Sequence, residues 1–247
     1  MELFSDLFDL KSLAFSSFEL KSDFGKSGHL VSSYLKSVPL KFQPKRFSNF
    51  SEQRKIEFVI GRICAKEALD KMNGPEERRP IFKETGIGMN DDRSPSWPKG
   101  AVGSITHSPI GVMACTGKVE DFLSLGLDLE CLNRSNSLNK IKNKVFTGAD
   151  NLLYKELPKG FEETDLIGLV FSAKESLFKC LYPLAKTFFY FYDAEMVKLN
   201  LDTRSFTLRL KRGLGGVFKE GDLFEGYFCT SIEDHILTLV PLRSCTS

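Results

Sequence analysis

Asp128 and Glu130 stand two residues apart in G-L-D-L-E, at the end of the apolar run 123–130. Side chains alternate between the faces of a strand, so the two carboxylates share one face and Leu125, Leu127 and Leu129 share the other. Two hard oxygen donors at that spacing suit Mg²⁺, which takes one or two carboxylates and leaves its remaining positions to water and phosphate. Gly126, just before them, permits a close approach by a backbone or a ligand. The plain alternative is a strand tip with a wet acidic face.

Three further patterns carry chemistry. In F-S-A-K-E-S-L-F-K, Glu175 and Lys179 lie four apart and face the same side of a helix; on a surface this is an ordinary ion pair. In the stretch 91–108, Arg93 and Lys99 flank Trp97, the only tryptophan, and Gly100 and Gly103 lead to Thr106-His107-Ser108. An imidazole between two hydroxyls at a strand-to-turn junction can bind phosphate, or can simply hydrogen-bond its own turn. Arg62 follows Gly61 inside a helix pattern. Glycine there costs about 1 kcal/mol against alanine, so a close contact is expected, and Arg62 could offer its planar fork to a phosphate.

These residues need elements to hold them. Residues 51–73 read as a helix capped by Ser51 and ended by Asn73-Gly74-Pro75, and 83–100 as a loop. A-V-G-S-I-T-H-S and G-V-M-A-C-T-G read as strands joined by S-P-I-G, and F-L-S-L-G-L-D-L-E as a third. A helix start follows at Thr147 or Asp150. A second long helix is capped near Thr164 or Asp165 and ended by Pro183, and three strands close the chain. A-K-E-A-L-D-K (65–71) and A-K-E-S-L-F-K (173–179) match at five of seven positions, 108 residues apart, each followed by a hairpin-like strand pair. The expectation is an α+β fold, a pseudo-two-fold duplication of two similar α/β subdomains over 1–120 and 121–247, with the active site in the cleft between them.

The totals restrict the partners. Net charge is +2 and no block of like charges occurs, so no nucleic-acid surface is expected. No apolar run is long enough to span a membrane. Acids interrupt the Phe-rich N-terminal stretch 1–24 from Glu2 onward, which argues against a signal peptide and for a segment packed on the core. The six cysteines show no C-x-x-C or Cys/His cluster and read as reduced thiols of a cytoplasmic protein, without zinc.

Taken in order, Gly61-Arg62, Arg93 through Ser108, Gly126 through Glu130 and Phe171 through Lys179 form a set that resembles the 4′-phosphopantetheinyl transferases of the surfactin-synthetase type. The W-P-x-G-x-x-G-S stretch is closest to the enterobactin-synthetase branch. The resemblance implies a monomer built as a pseudo-dimer. It would move the phosphopantetheine arm of coenzyme A to a serine of an apo carrier protein and release 3′,5′-ADP. It further implies that Asp128, Glu130 and Glu175 hold Mg²⁺, with Mn²⁺ as the alternative. Lys179 and Lys174 would contact phosphate. Arg93, Thr106 and His107 would bind the nucleotide's phosphates and Arg62 its 3′-phosphate end, with Lys66 nearby. The serine needs a base: Glu130, directly or through a bound water, with Glu175 as the other candidate. Two other classes stay open at this point, an Mg²⁺-dependent phosphohydrolase or nucleotidyl enzyme and a non-catalytic module that grips coenzyme A or a carrier protein.

Overall fold

The computed structural model describes residues 12–19, 32, 47–74, 87–132, 135–157, 159–232 and 234–244. The chain packs as two units, 1–123 with 243–247, and 124–242.

In the first unit, β1 (Leu13–Glu19), β4 (Ala101–Ser108) and β5 (Gly111–Lys118) form an antiparallel sheet in the order β1-β5-β4. Helix α1 (Glu52–Asn73) packs on it. Ser51 caps the helix by accepting from Arg54 N at 3.2 Å, and Gly74 leaves it at φ 84°. Its apolar stripe of Ile56, Ile60, Cys64 and Leu69 meets Val112 and Ala114 of β5, as the 3.6-residue period requires. β1 lies within the N-terminal Phe-rich stretch, where Leu13 and Phe15 are buried; residues 1–11 and 20–24 of that stretch lie outside the described residues. Within the span read as a loop, β2 (Gly88–Met89) pairs with β3 (Pro95–Ser96); residues 83–86 are not described.

In the second unit, β6 (Phe122–Cys131, whose first two residues belong to the first unit) begins a five-stranded sheet in the order β6-β10-β9-β8-β7. The other strands are β7 (Ala194–Asn200), β8 (Ser205–Leu210), β9 (Leu223–Ile232) and β10 (His235–Arg243). Helices α2 (Ser135–Val145) and α3 (Gly148–Lys155) precede α4 (Glu163–Ala185). α4 is apolar almost all round and is accordingly buried, with Leu166, Leu169, Val170, Leu177 and Leu181 fully enclosed.

Two expected helix ends move. α4 is capped at Glu162, not at Thr164 or Asp165; Glu162 N donates to Asp165 Oδ2 at 3.0 Å, so Asp165 closes the first turn from inside. Pro183 does not end the helix. It lies in the last turn, where its missing N–H removes a single helical bond, the one to Lys179 O, and the chain leaves three residues later through Lys186 at φ 48°. β1, α2 and β7 are additions to the sequence reading. Cys64, Cys115, Cys180 and Cys229 are buried free thiols, Cys131 is a half-buried one, and Cys245 lies outside the described residues. No described helix is long and apolar enough to cross a membrane.

Candidate active site

The second unit brings the two acidic motifs together through one close approach. A Cβ placed on Gly126 would stand 1.8 Å from Ser176 O and 2.8 Å from Cys180 N. The backbone of α4 therefore runs directly over β6 at this residue, and only glycine fits. One residue later, Leu127 O accepts from Lys179 Nζ at 3.0 Å. The same ammonium group stands 2.6 Å from Asp128 Oδ1, while Ser172 Oγ donates to Asp128 Oδ2 at 2.9 Å. Asp128 is buried; Glu130, further along the strand, is half-buried. Burial pushes the Glu175 carboxyl above the usual carboxylate range; Lys179 draws it back and the charge of Asp128 raises it further. Glu175 and Asp128 thus face the same electrostatic neighbourhood, with Lys179 as their shared cation.

Among the described residues no three His, Cys, Asp or Glu side chains converge as a ready-made metal cage. The donor set still fits Mg²⁺. It offers oxygen ligands only, and the charge of Asp128 adds to the cost of ionising the desolvated Glu175, which a small hard cation would relieve.

Lys174 sits apart from this cluster. It is buried and donates to Asp150 Oδ2 at 2.6 Å, Val145 O at 2.7 Å and Phe191 O at 3.1 Å, so its three N–H groups are all engaged within the protein. Asp150 is fully buried. It also accepts from Thr147 N at 2.8 Å, closing the start of α3, and from Met196 N of β7 at 2.7 Å. Burial pulls the Lys174 ammonium below its ordinary range, against the pull of Asp150 in the other direction. The pair ties α2, α3, α4 and β7 to one point.

The first unit holds the remaining predicted residues. His107 is exposed near the end of β4, and α1 presents two side chains to it. Arg54 Nη1 lies 2.6 Å from Nε2, and Glu57 Oε2 lies 3.6 Å from Nδ1. Arginine can only donate, so Nε2 accepts and Nδ1 carries the proton toward Glu57. Thr106 is buried beside it on β4. Arg62 lies with its guanidinium 4.1 Å from the Phe58 ring centroid and donates to Gly88 O at 3.2 Å. Gly61, before it, faces Ile105: a Cβ would stand 3.0 Å from Ile105 Cγ2. Arg93 is exposed at φ 69° in a turn closed by Arg93 N to Asn90 O, 2.9 Å. Lys66 is buried and paired with Asp70. The spacing of W-P-x-G-x-x-G acquires a cause: a Cβ on Gly103 would stand 2.5 Å from the Trp97 ring and 2.5 Å from Cys115 O, so the indole packs against bare backbone.

Sequence reasoning missed Ser172, Arg54, Glu57 and Asp150. Ser172 and Ser176 had a signal, since two hydroxyls four apart on an apolar helix must find partners; both meet Thr238 Oγ1, at 2.8 and 2.7 Å. Arg54 and Glu57 had none, being charges on the exposed first turns of a helix.

Models of one family match both parts of the chain: the 4′-phosphopantetheinyl transferase N-terminal domain over 43–116, and the 4′-phosphopantetheinyl transferase superfamily over 124–240. The chain is 31% identical over 158 residues to 4′-phosphopantetheinyl transferase Svp of Streptomyces mobaraensis, covering 64% of this chain and 60% of that protein. It is 28% identical over 160 residues to 4′-phosphopantetheinyl transferase PptT of Mycobacterium tuberculosis, covering 64% and 65%. It is also 28% identical over 134 residues to enterobactin synthase component D of Salmonella typhimurium, covering 54% and 51%. The chain therefore spans roughly half to two-thirds of the length of these relatives. With the strand motif and the helix motif packed together inside the second matched region, the chain belongs to the 4′-phosphopantetheinyl transferase superfamily.

Proposed function

We propose that this protein transfers the 4′-phosphopantetheine arm of coenzyme A to a serine of an apo carrier protein and releases 3′,5′-ADP. The observation that carries the reading is the junction of Asp128 with Lys179 and Glu175, which joins G-x-D-x-E to K-E-S-x-x-K inside one unit. Asp128, Glu130 and Glu175 would hold Mg²⁺, which would draw negative charge from the diphosphate and the leaving nucleotide. Lys179 pairs with Asp128 and adds a fixed positive charge at the same place. Lys174 fixes α4 from the far side, its donors already engaged with protein oxygens. Arg62, Arg93, Thr106 and His107 would bind the phosphates of coenzyme A, with Arg54 setting the tautomer of His107.

In the reaction the serine Oγ–P bond forms as the bond from that phosphorus to the ADP oxygen breaks. The serine proton passes to a carboxylate, Glu130 or Glu175, and ADP leaves with the bonding electrons. Incubation with coenzyme A, MgCl₂ and purified apo carrier proteins of the fatty-acid and peptide-synthetase types, read by intact-protein mass spectrometry, tests this. One phosphopantetheinyl group is gained on the carrier's serine if the reading holds. No gain on any carrier refutes it, and release of ADP without a carrier would identify a hydrolase instead.

The duplication belongs to the same reading. In each unit the first strand pairs with the last, and the last with the one before it: β1-β5-β4 and β6-β10-β9. Lys71 and Lys179, 108 residues apart, donate to Phe15 O at 2.9 Å and Leu127 O at 3.0 Å, themselves 112 apart on the two first strands. Ser16 Oγ donates to Glu67 in the first unit, where the second has Asp128 beside Glu175. A serine replaces the aspartate and Phe18 stands in the place of Glu130, so the first unit keeps the frame without the metal acids. In this reading the protein is a monomeric pseudo-dimer with one site, working in the cytoplasm.

A further inference from the structure

α4 carries an aromatic stripe on the same face as Glu175, at the spacing i−4, i+3 and i+7: Phe171, Phe178 and Tyr182. From Phe178 the rings continue off the helix. Its centroid lies 5.2 Å from Tyr182 and 5.0 Å from Phe188; Phe188 lies 5.0 Å from Tyr190; Tyr190 stacks on Tyr192 at 5.3 Å and 15°. The outer end of this ladder is uncovered. Phe188, Tyr190 and Tyr192 are 57, 54 and 55% exposed, and Leu184 is exposed beside them. A contiguous exposed aromatic patch of this kind marks an interaction site, not a core.

The balance of charge around it is positive. Lys186 stands with Nζ 5.6 Å from the Tyr182 ring centroid. Lys211, next to Arg212, bonds Asp193 O through its backbone N–H at 2.8 Å, and Arg212 donates to Phe188 O at 2.9 Å. Asp193, the only acid in 182–193 and 209–219, is buried and its charge is taken by Arg212 at 3.0 Å. The surface therefore offers apolar rings inside a basic rim.

We propose that this ladder is the docking surface for an acidic face of the carrier protein, an assignment that rests on the transferase reading above. The complement of apolar rings within a basic rim is a face with an apolar side chain among carboxylates. The ladder also begins where the chemistry is. Tyr182 is seven residues from Glu175, about 10 Å along the helix axis. A partner seated on Phe188, Tyr190 and Tyr192 would thus stand within the reach of a small protein domain from the acid cluster. The patch belongs to the unit that carries Asp128 and Glu175.

The test uses the full chain, a purified apo acyl carrier protein and an apo peptidyl carrier domain, with coenzyme A and MgCl₂. Two double variants are compared with wild type: Tyr190→Ser with Tyr192→Ser, and Lys186→Glu with Lys211→Glu. The first is expected to raise the KM for carrier about 10-fold or more, the loss typical of exposed aromatic anchors, with the KM for coenzyme A and kcat at saturating carrier within about 2-fold. The second is expected to raise the carrier KM and flatten its dependence on salt. Should the aromatic variant fail to fold by circular dichroism, the charge variant decides alone. Unchanged carrier KM in folded variants overturns the proposal, as does a KM that rises only for coenzyme A or an acyl-coenzyme A. A wild-type dimer lost in the variants at unchanged carrier KM assigns the patch to a second copy and overturns it too. No transfer by wild type to any carrier removes the transferase reading and this proposal with it.

Discussion

Gly126→Ala is the sharpest perturbation of the candidate site, because it adds one methyl group and no charge. Its Cβ would stand 1.8 Å from Ser176 O and 2.8 Å from Cys180 N, both backbone atoms of α4, so no side chain can turn aside. Reaching even 3.0 Å from Ser176 O requires β6 and α4 to part by about 1.2 Å. Overpacking in a close-packed core costs roughly 1–3 kcal/mol, and a backbone-to-backbone clash belongs at the upper end. For a unit of this size that corresponds to a fall in Tm of roughly 10 °C. The same displacement moves Asp128 away from Lys179 and Glu175, and a misplacement of about 1 Å costs on the order of 100-fold in rate. The assay pairs thermal unfolding by circular dichroism with carrier modification at saturating coenzyme A and Mg²⁺. Gly61→Ala is the contrast. There the Cβ meets the tip of Ile105 at 3.0 Å, and the helix gains about 1 kcal/mol of propensity, so the net change should stay within about 1 kcal/mol. If Gly126→Ala unfolds like wild type and retains its rate, the contact between β6 and α4 does not set the acid cluster, and the geometric reasoning fails.

Three other outcomes follow from the same contacts. Glu175→Gln, measured in chelator, should be more stable than wild type above the raised pKa of Glu175. A carboxyl whose folded pKa is raised contributes stability below its unfolded pKa and loses it as pH rises through the folded one, so the difference should grow with pH; a difference independent of pH refutes the assignment. Added Mg²⁺ should raise the Tm of wild type more than that of Asp128→Asn, and Asp128→Ala should abolish transfer; equal shifts, or substantial turnover at saturating Mg²⁺, remove Asp128 from the metal site. Lys174→Met should cost about 3–5 kcal/mol by leaving Asp150 as a buried unpaired charge, and adding Asp150→Asn should recover part of it in urea unfolding; simple additivity would show that the pair does not act as a unit.

The long helices, the β4–β5 hairpin and β6 were legible because each depends on a local pattern: periods of 3.6 or 2, a serine cap, a glycine stop. The acids were legible for the same reason, since strand alternation alone puts Asp128 and Glu130 on one face. The ends of α4 were not, because Glu162 is an unusual cap whose role depends on Asp165, and because a proline in a last turn removes one bond without dismantling the helix. β1 and β7 escaped because their Phe, Ser and Lys content has no alternation until a neighbouring strand supplies one.

What the sequence determined by itself was the residue types and their order, and with them the family and the oxygen-only donor set. What only the tertiary structure decided was where each lysine goes. Lys174 and Lys179 are five apart on one helix, and no spacing rule separates a phosphate contact from a strut. The fold sends Lys174 into a closed pocket with Asp150 and sends Lys179 to Asp128, because successive turns of a buried helix face different neighbours. Those neighbours lie 24 and 51 residues away in the chain, and no local pattern can see that far.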